Sequence, residues 1–316
     1  MSGRILKVGT RGSRLAREQA RRVCQSLTEP CETVIVKTSG DRQTDAALGE
    51  QQGVGFFTKE IENELLSGSI DLAVHSLKDL PTSLAPGLTL GALLERDEAG
   101  DVLLVRQDAH APGRVVPLRK GGRVGASAMR RQALLAWLAA DLVPAPIRGN
   151  VPTRIEKARH GDYDAVILSR AGLARLELDV APLLAFDLNP ERWICAPGQG
   201  VIAVETRVDD KRALKSLSAV DDRMTRDCTT AERSLLVTFG GGCHAPFGAW
   251  ARSERGAFQL RVAAPGEDGR CRLALFESGD LEAARIKAAE WIRAGRPKRA
   301  CEEEGRWLCR PARPWC

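Results

Sequence analysis

"APIRGNVPTRIEKARHGDYDAVILSRAGLARL", residues 145–176, decides the fold class. "APIRG" (145–149) reads as a short strand. "VPTRIEKARHG" (151–161) has helical spacing. Asn150 stands where a cap residue accepts the first free amides, and Pro152 in the first turn costs no hydrogen bond. "YDAVILS" (163–169) is a strand, and "AGLARL" (171–176) opens another helix. Strand, helix, strand, helix is the rhythm of an α/β domain.

The rhythm continues toward the N-terminus. "ILKVGT" (5–10) reads as a strand, and Ser13 is placed to cap a helix through "RLAREQARRVCQSL" (14–27). "TVIVKT" (33–38) is β-branched and reads as a buried strand. "FFTKEIENELL" (56–66) is helical and stops at "SGS" (67–69). "IDLAVHS" (70–76), "DVLLVR" (101–106) and "RVGAS" (123–127) read as strands, and "AMRRQALLAWLAADL" (128–142) as a helix. "ERDEAGD" (95–101) is a crossing between two such series. After residue 200 the character changes. "CTTAERSLLVTFGGG" (228–242) is a helix running into a glycine turn. Residues 248–278 alternate between strand and turn signals and predict an antiparallel sheet, and "DLEAARIKAAEWIRA" (280–294) is a helix. The tail from residue 295 has no clear period and is expected to be partly disordered.

Composition narrows the function classes. The chain has 316 residues, 43% hydrophobic and 28% charged, which is ordinary for a globular protein of two or three domains. No run approaches a membrane span, and no signal peptide is read, so a cytoplasmic protein is expected. A net charge of +6 with only 4% aromatics is a poor match to a nucleic-acid binder. Nine cysteines without a C-x-x-C argue against a disulfide framework or a zinc site. Cys301, Cys309 and Cys316 are the least implausible metal trio, and no metal is expected.

Chemistry in open α/β sheets gathers where strands end and helices begin. Arg11, Lys78, Arg130, Arg131, Arg148, Arg154 and Arg175 all fall at such places. Singly each reads as a solvated surface cation. As a set they predict a cleft for a polyanion, because guanidinium forks match carboxylates. One acid, Asp79, stands among them, suited to stabilising a developing cation or moving a proton. In "GGGCHAPFG" (240–248) three glycines and a nearby proline allow neither helix nor strand, so Cys243 is lifted on a turn.

"VGTRGSRLA", "HSLKDLP", "ASAMRRQ", "IRGNVPTR", "AGLARL", "APGQG", "TAER" and "GGCHAPFG" resemble, in this order, the motifs of the porphobilinogen deaminase (hydroxymethylbilane synthase) family, from about residue 5 to about residue 295. The resemblance implies two periplasmic-binding-protein-like α/β domains around a cleft and a smaller α+β C-terminal domain with an antiparallel sheet. The corresponding boundaries are 1–96 with 198–218, 97–197, and 219–316. It implies head-to-tail condensation of four porphobilinogen molecules with loss of ammonia, on a covalent dipyrromethane primer, followed by hydrolytic release of hydroxymethylbilane. Cys243 matches the residue that holds the primer through a thioether. Arg11, Arg130, Arg131, Arg148, Arg154 and Arg175 match positions that bind pyrrole carboxylates. Ser13, Gln19, Ser76, Lys78 and Ser127 match neighbouring polar contacts, and Asp79 matches the catalytic aspartate. A monomer acting on a small molecule, without nucleic acid or membrane, is expected.

The chain departs from the family pattern in places. "SGDRQTDAALGEQQGVGFF" (39–57) matches the lid over the cleft but has no lysine, with Glu50 and Val54 near the expected places. Ala126 and Ala128 stand where hydroxyls are usual, and Gly240 where an acid is frequent. The alternatives are a diverged paralogue and a two-lobed binding protein for a small anion. The binding protein needs neither Asp79 nor an exposed Cys243, and the lid changes are the support for the paralogue.

Overall fold

The computed structural model describes residues 5–38, 58–242, 245–296 and 309–313. In chain order the first elements are β1 (Leu6–Thr10), α1 (Arg14–Ser26), β2 (Cys31–Ile35), α2 (Lys59–Leu66), β3 (Leu72–Ser76) and β4 (Leu88–Leu93). Next come β5 (Asp101–Val105), β6 (Arg123–Gly125), α3 (Met129–Leu138), β7 (Val143–Ala145), α4 (Val151–Arg159), β8 (Ala165–Ser169), α5 (Arg170–Leu176) and β9 (Leu184–Leu188). The remainder are β10 (Ile202–Arg207), α6 (Lys211–Leu217), α7 (Arg223–Phe239), β11 (Gly248–Glu254), β12 (Ala257–Pro265), β13 (Cys271–Ser278), α8 (Leu281–Arg293) and β14 (Cys309–Pro311). These elements form two compact units, Met1–Asp97 with Gly200–Asp227, and Glu98–Gln199 with Cys228–Cys316.

The first unit is a five-stranded sheet in the order β2-β1-β3-β10-β4. β1 runs parallel to β2 and β3, and β10 runs antiparallel to β3 and β4. The parallel pairing sends the ends of β1 and β3 to one edge, and the register Ile202↔Ser76 brings the start of β10 to the same edge. Leu6, Val8, Val23, Leu72, Val204 and Leu217 form the core under α1 and α6. Ile61, Leu65 and Ile70 form a second core under α2.

The second unit holds a six-stranded sheet in the order β14-β9-β5-β8-β6-β7 and a three-stranded antiparallel sheet, β11-β12-β13. β6 runs parallel to β7 and β8, so these three strands end at one edge. β5 runs antiparallel to β8 with Asp101 opposite Ser169, which places an acid at that same edge. α8, capped by Asp280 through the amides of Glu282 and Ala283, packs on the antiparallel sheet. There Phe276 meets Trp291 edge to face at 6.1 Å.

Two readings of the sequence need correction. The strand expected at 145–149 is displaced: β7 ends at Ala145, ahead of Arg148. Pro146 offers no amide to the ladder, and the Ile147 amide goes to the Ser127 hydroxyl at 3.1 Å instead. The strand expected to be buried at 33–38 is β2, the outer strand of its sheet, where Glu32, Thr33 and Ile35 are exposed. Within the tail, Cys309–Pro311 pairs with β9. Residues 39–57, including Glu50 and Val54, lie outside the described residues, as do Cys243, Cys301 and Cys316.

Candidate active site

In the first unit the sequence builds an edge of polar side chains on apolar anchors. Thr10 ends β1, fully buried, and its hydroxyl donates to the Ala16 carbonyl at 3.1 Å. Ser13 caps α1 by accepting from the Ala16 amide at 3.2 Å, so its oxygen is already engaged. Gln19, buried one turn into α1, donates to the Ser76 hydroxyl at 2.8 Å and joins the helix to the end of β3. Arg11 follows β1, half-buried.

A single 3₁₀ turn, Leu77–Asp79, follows β3. Two charged residues between two leucines explain its geometry. Leu77 and Leu80 are fully buried in a small core with Leu93, Val201 and Ala203. The Leu77 amide bonds the Val201 carbonyl at 3.0 Å. With both leucines held, Lys78 is half-buried and Asp79 is exposed. Among the described residues the Asp79 carboxylate makes no hydrogen bond or ion pair. An acid fixed by its neighbours' burial and left open to solvent is free to meet a ligand.

In the second unit, Ser127, Arg148 and Arg170 follow the ends of β6, β7 and β8. The Ser127 hydroxyl donates to the Ile147 carbonyl and accepts from its amide, which closes the turn between β7 and α4. Gly149 has φ +107°, and a Cβ there would lie 2.6 Å from the Thr153 side chain, so only glycine fits. This sharp turn leaves Arg148 exposed. Asn150 then caps α4, accepting from the Thr153 amide at 3.0 Å, and Arg154 Nε donates back to the Gly149 carbonyl at 2.8 Å. Arg175, in the last turn of α5, is buried. α3 begins after Ala128, which offers no side-chain cap, so its first amides are left for another acceptor.

Arg130 and Arg131 are brought together, but around an acid that the sequence reading had passed over. Asp101, with no exposed side-chain surface, faces both guanidiniums. Arg131 donates to it through Nη2 at 2.8 Å and Nε at 3.2 Å, and Arg130 through Nη2 at 2.9 Å. Trp193 Nε1 at 2.8 Å and Gln199 Nε2 at 2.9 Å complete the set. Burial pushes the Asp101 carboxyl up, and the charges of Arg131 and Arg130 more than reverse it, holding it well below the ordinary carboxylate range. Two further donors reach backbone: Arg130 Nη1 to the Ile194 carbonyl and Arg131 Nη1 to that of Ile167, both at 2.8 Å. Arg130 Nε is buried without an acceptor among the described residues.

Two further residues were quoted in motifs without a role. Gln199 of "APGQG" donates to the Ala99 carbonyl at 2.6 Å as well as to Asp101. Glu232 of "TAER", fully buried, accepts from the amides of Gly198 at 2.7 Å and Ala251 at 2.8 Å. The signal was present: an acid opening the apolar run "DVLLV", and a buried Gln and Glu inside otherwise small or apolar neighbours.

Comparison with known proteins identifies the family of the chain. Residues 6–215 match the family described as "Porphobilinogen deaminase, dipyromethane cofactor binding domain", and residues 227–271 match "Porphobilinogen deaminase, C-terminal domain". Similar proteins named porphobilinogen deaminase include one from Streptococcus sanguinis strain SK36, 39% identical over 283 residues, covering 88% of this chain and 92% of the relative. Another, from Roseiflexus sp. strain RS-1, is 43% identical and covers 84% of this chain and 87% of the relative. A third, from Nocardia farcinica strain IFM 10152, is 39% identical and covers 98% and 86%. A periplasmic arginine-binding protein of Salmonella typhimurium is a more distant likeness, at 13% identity and a TM-score of 0.40, covering 71% of this chain and 94% of that one. The family match spans most of the chain, and the relatives are about 40% identical over most of their own length: the chain belongs to the porphobilinogen deaminase family.

Proposed function

We propose that Asp79 is the catalytic acid–base group and that Cys243 carries the primer of a porphobilinogen deaminase. The chain is a transferase that joins porphobilinogen molecules head to tail with loss of ammonia and releases hydroxymethylbilane. Its cofactor is a dipyrromethane. When bound, the dipyrromethane supplies the pyrrole end to which substrate is added. Acetate and propionate groups make it and the growing chain polyanionic. The donor chemistry of the second unit fits such a ligand: cations follow the ends of β7 and β8, α3 opens without a side-chain cap, and Arg130 Nε lacks an acceptor among the described residues.

Arg11, Arg148, Arg154 and Arg175 bind carboxylates, with Arg130 and Arg131 offering their remaining N–H groups from a rigid base on Asp101. Ser13, Gln19, Ser76, Lys78 and Ser127 complete the polar lining. Asp79 stabilises the positive charge that develops on the substrate pyrrole as ammonia leaves. It also takes the proton released when the new ring is coupled. The enzyme works as a cytoplasmic monomer on small molecules alone. Among the described residues no helix is long and apolar enough to cross a membrane.

The observation that carries this reading is Asp79 itself, exposed and without a partner among the described residues, on a turn anchored by Leu77 and Leu80. The first test is an intact mass of the denatured protein after incubation with porphobilinogen. Wild type gains the mass of a dipyrrole and Cys243→Ser does not. An unmodified wild type, or a modified Cys243→Ser, removes the primer role from Cys243.

A further inference from the structure

Cys24 and Cys31 play no part in the chemistry above, yet the fold brings them to one place. Cys24 lies in the last turns of α1 and Cys31 opens β2, the outer strand of its sheet. Both pack half-buried against the same apolar core of the first unit. The Cys24 sulfur lies 3.9 Å from the Thr33 hydroxyl, and Thr33 sits on the same face of β2 as Cys31. The Cys31 thiol donates to the Glu29 carbonyl at 3.3 Å, within the short turn that joins helix to strand. Both residues are half-buried, unlike Cys195, Cys228 and Cys271, which are buried.

We propose that Cys24 and Cys31 form a dithiol site that hydrogen peroxide converts to an intramolecular disulfide. The Cys24 sulfur attacks a peroxide oxygen and breaks the O–O bond, giving a sulfenic acid and one water. The Cys31 sulfur then displaces the sulfenic hydroxyl, which leaves as a second water with the Cys31 proton, and the S–S bond forms. Two thiols are oxidised and one peroxide is reduced. The assignment of Cys31 as the second to react agrees with its surroundings. Burial, then the neighbouring Cys24 thiol, pushes the Cys31 thiol up to about 12, so it holds its proton until an electrophilic sulfur is presented. The disulfide pins the end of α1 to β2, and α1 is the helix whose Gln19 bonds Ser76.

The test uses the full chain. Trypsin cleaves after Arg22 and Lys37, so both cysteines fall in the single peptide 23–37. The native protein is treated with hydrogen peroxide, denatured, alkylated and digested. The expected peptide is lighter by two hydrogens and carries no alkyl group, and prior reduction restores both alkylation sites. In Cys24→Ser the same treatment leaves Cys31 alkylated, and the half-buried position tolerates the change. Peptide 23–37 doubly alkylated after peroxide, or Cys24 carried only to the sulfinic acid, overturns the proposal. So does oxidation of Cys31 that persists in Cys24→Ser.

Discussion

Asp79 and Asp101 are the same side chain in opposite settings. Asp101 is enclosed by Arg130, Arg131, Trp193 and Gln199 and has no exposed surface. Asp79 is exposed, and among the described residues it bonds to nothing. The first is bound into structure; the second is available for chemistry. Asp79→Asn therefore leaves the fold alone, with a stability change within about 0.5 kcal/mol, as for surface positions without partners. Turnover falls by about 10²–10⁴-fold, the range for loss of a positioned acid–base group. Steady-state rates with porphobilinogen, beside thermal melts of both proteins, check this. An Asn variant with wild-type turnover takes Asp79 out of the mechanism. A variant that melts far lower assigns it a structural part instead.

At the scale of the element, helix starts decide where the cations stand. Asn150 Oδ1 accepts from both the amide and the hydroxyl of Thr153, at 3.0 and 2.8 Å, and so sets the first turn from which Arg154 reaches back to Gly149. Asn150→Ala costs about 1 kcal/mol of stability. Asn150→Asp keeps the acceptor and restores it. Urea unfolding midpoints separate the two, and equal midpoints for Ala and Asp deny the cap its role. Caps of this kind were legible in the sequence because a cap is local: Ser13 and Asn150 each bond the amide three residues ahead. Elements that depend on distant partners were not. β4, "LTLGAL", is interrupted by Gly91, whose missing side chain makes room for Leu217 from α6. β14 exists only because β9 offers it an edge. β2 looked buried by its valines and isoleucine, but strand order, which no local pattern records, put it outside. The site follows the same division. Arg11, Asp79 and Arg148 were visible from motif and position, whereas the Asp101 cluster joins residues from β5, α3 and the segment 193–199 and required the fold.

Across the whole molecule, carboxylates held below their ordinary range make the protein vulnerable to acid. Burial pushes Asp221 up, and hydrogen bonds from Arg226 and the Leu93 amide outweigh it. Glu18 is lowered, chiefly by its hydrogen bond with Arg21. Asp101 is the extreme case, its burial overcome by two guanidiniums. A group whose pKa is depressed in the folded state adds stability above its unfolded value, about 4 for a carboxylate, and that stability is lost as pH falls toward the folded value. The direction is therefore loss on acidification, beginning below about pH 5. The net charge of +6 at pH 7 grows as carboxylates protonate, and self-repulsion adds to the loss. Asp101→Asn isolates the largest part. At pH 7 it leaves two buried guanidiniums uncompensated and costs about 3–5 kcal/mol. Below about pH 4 the unfolded wild type takes up a proton that the folded protein refuses, at about 1.4 kcal/mol per pH unit. The variant has no such proton to bind. The gap between wild type and variant therefore narrows as pH falls, read from urea midpoints at pH 7, 5, 4 and 3. A gap that stays constant over that range means that Asp101 is not held ionised by Arg130 and Arg131, and the rigid base assigned to those arginines goes with it.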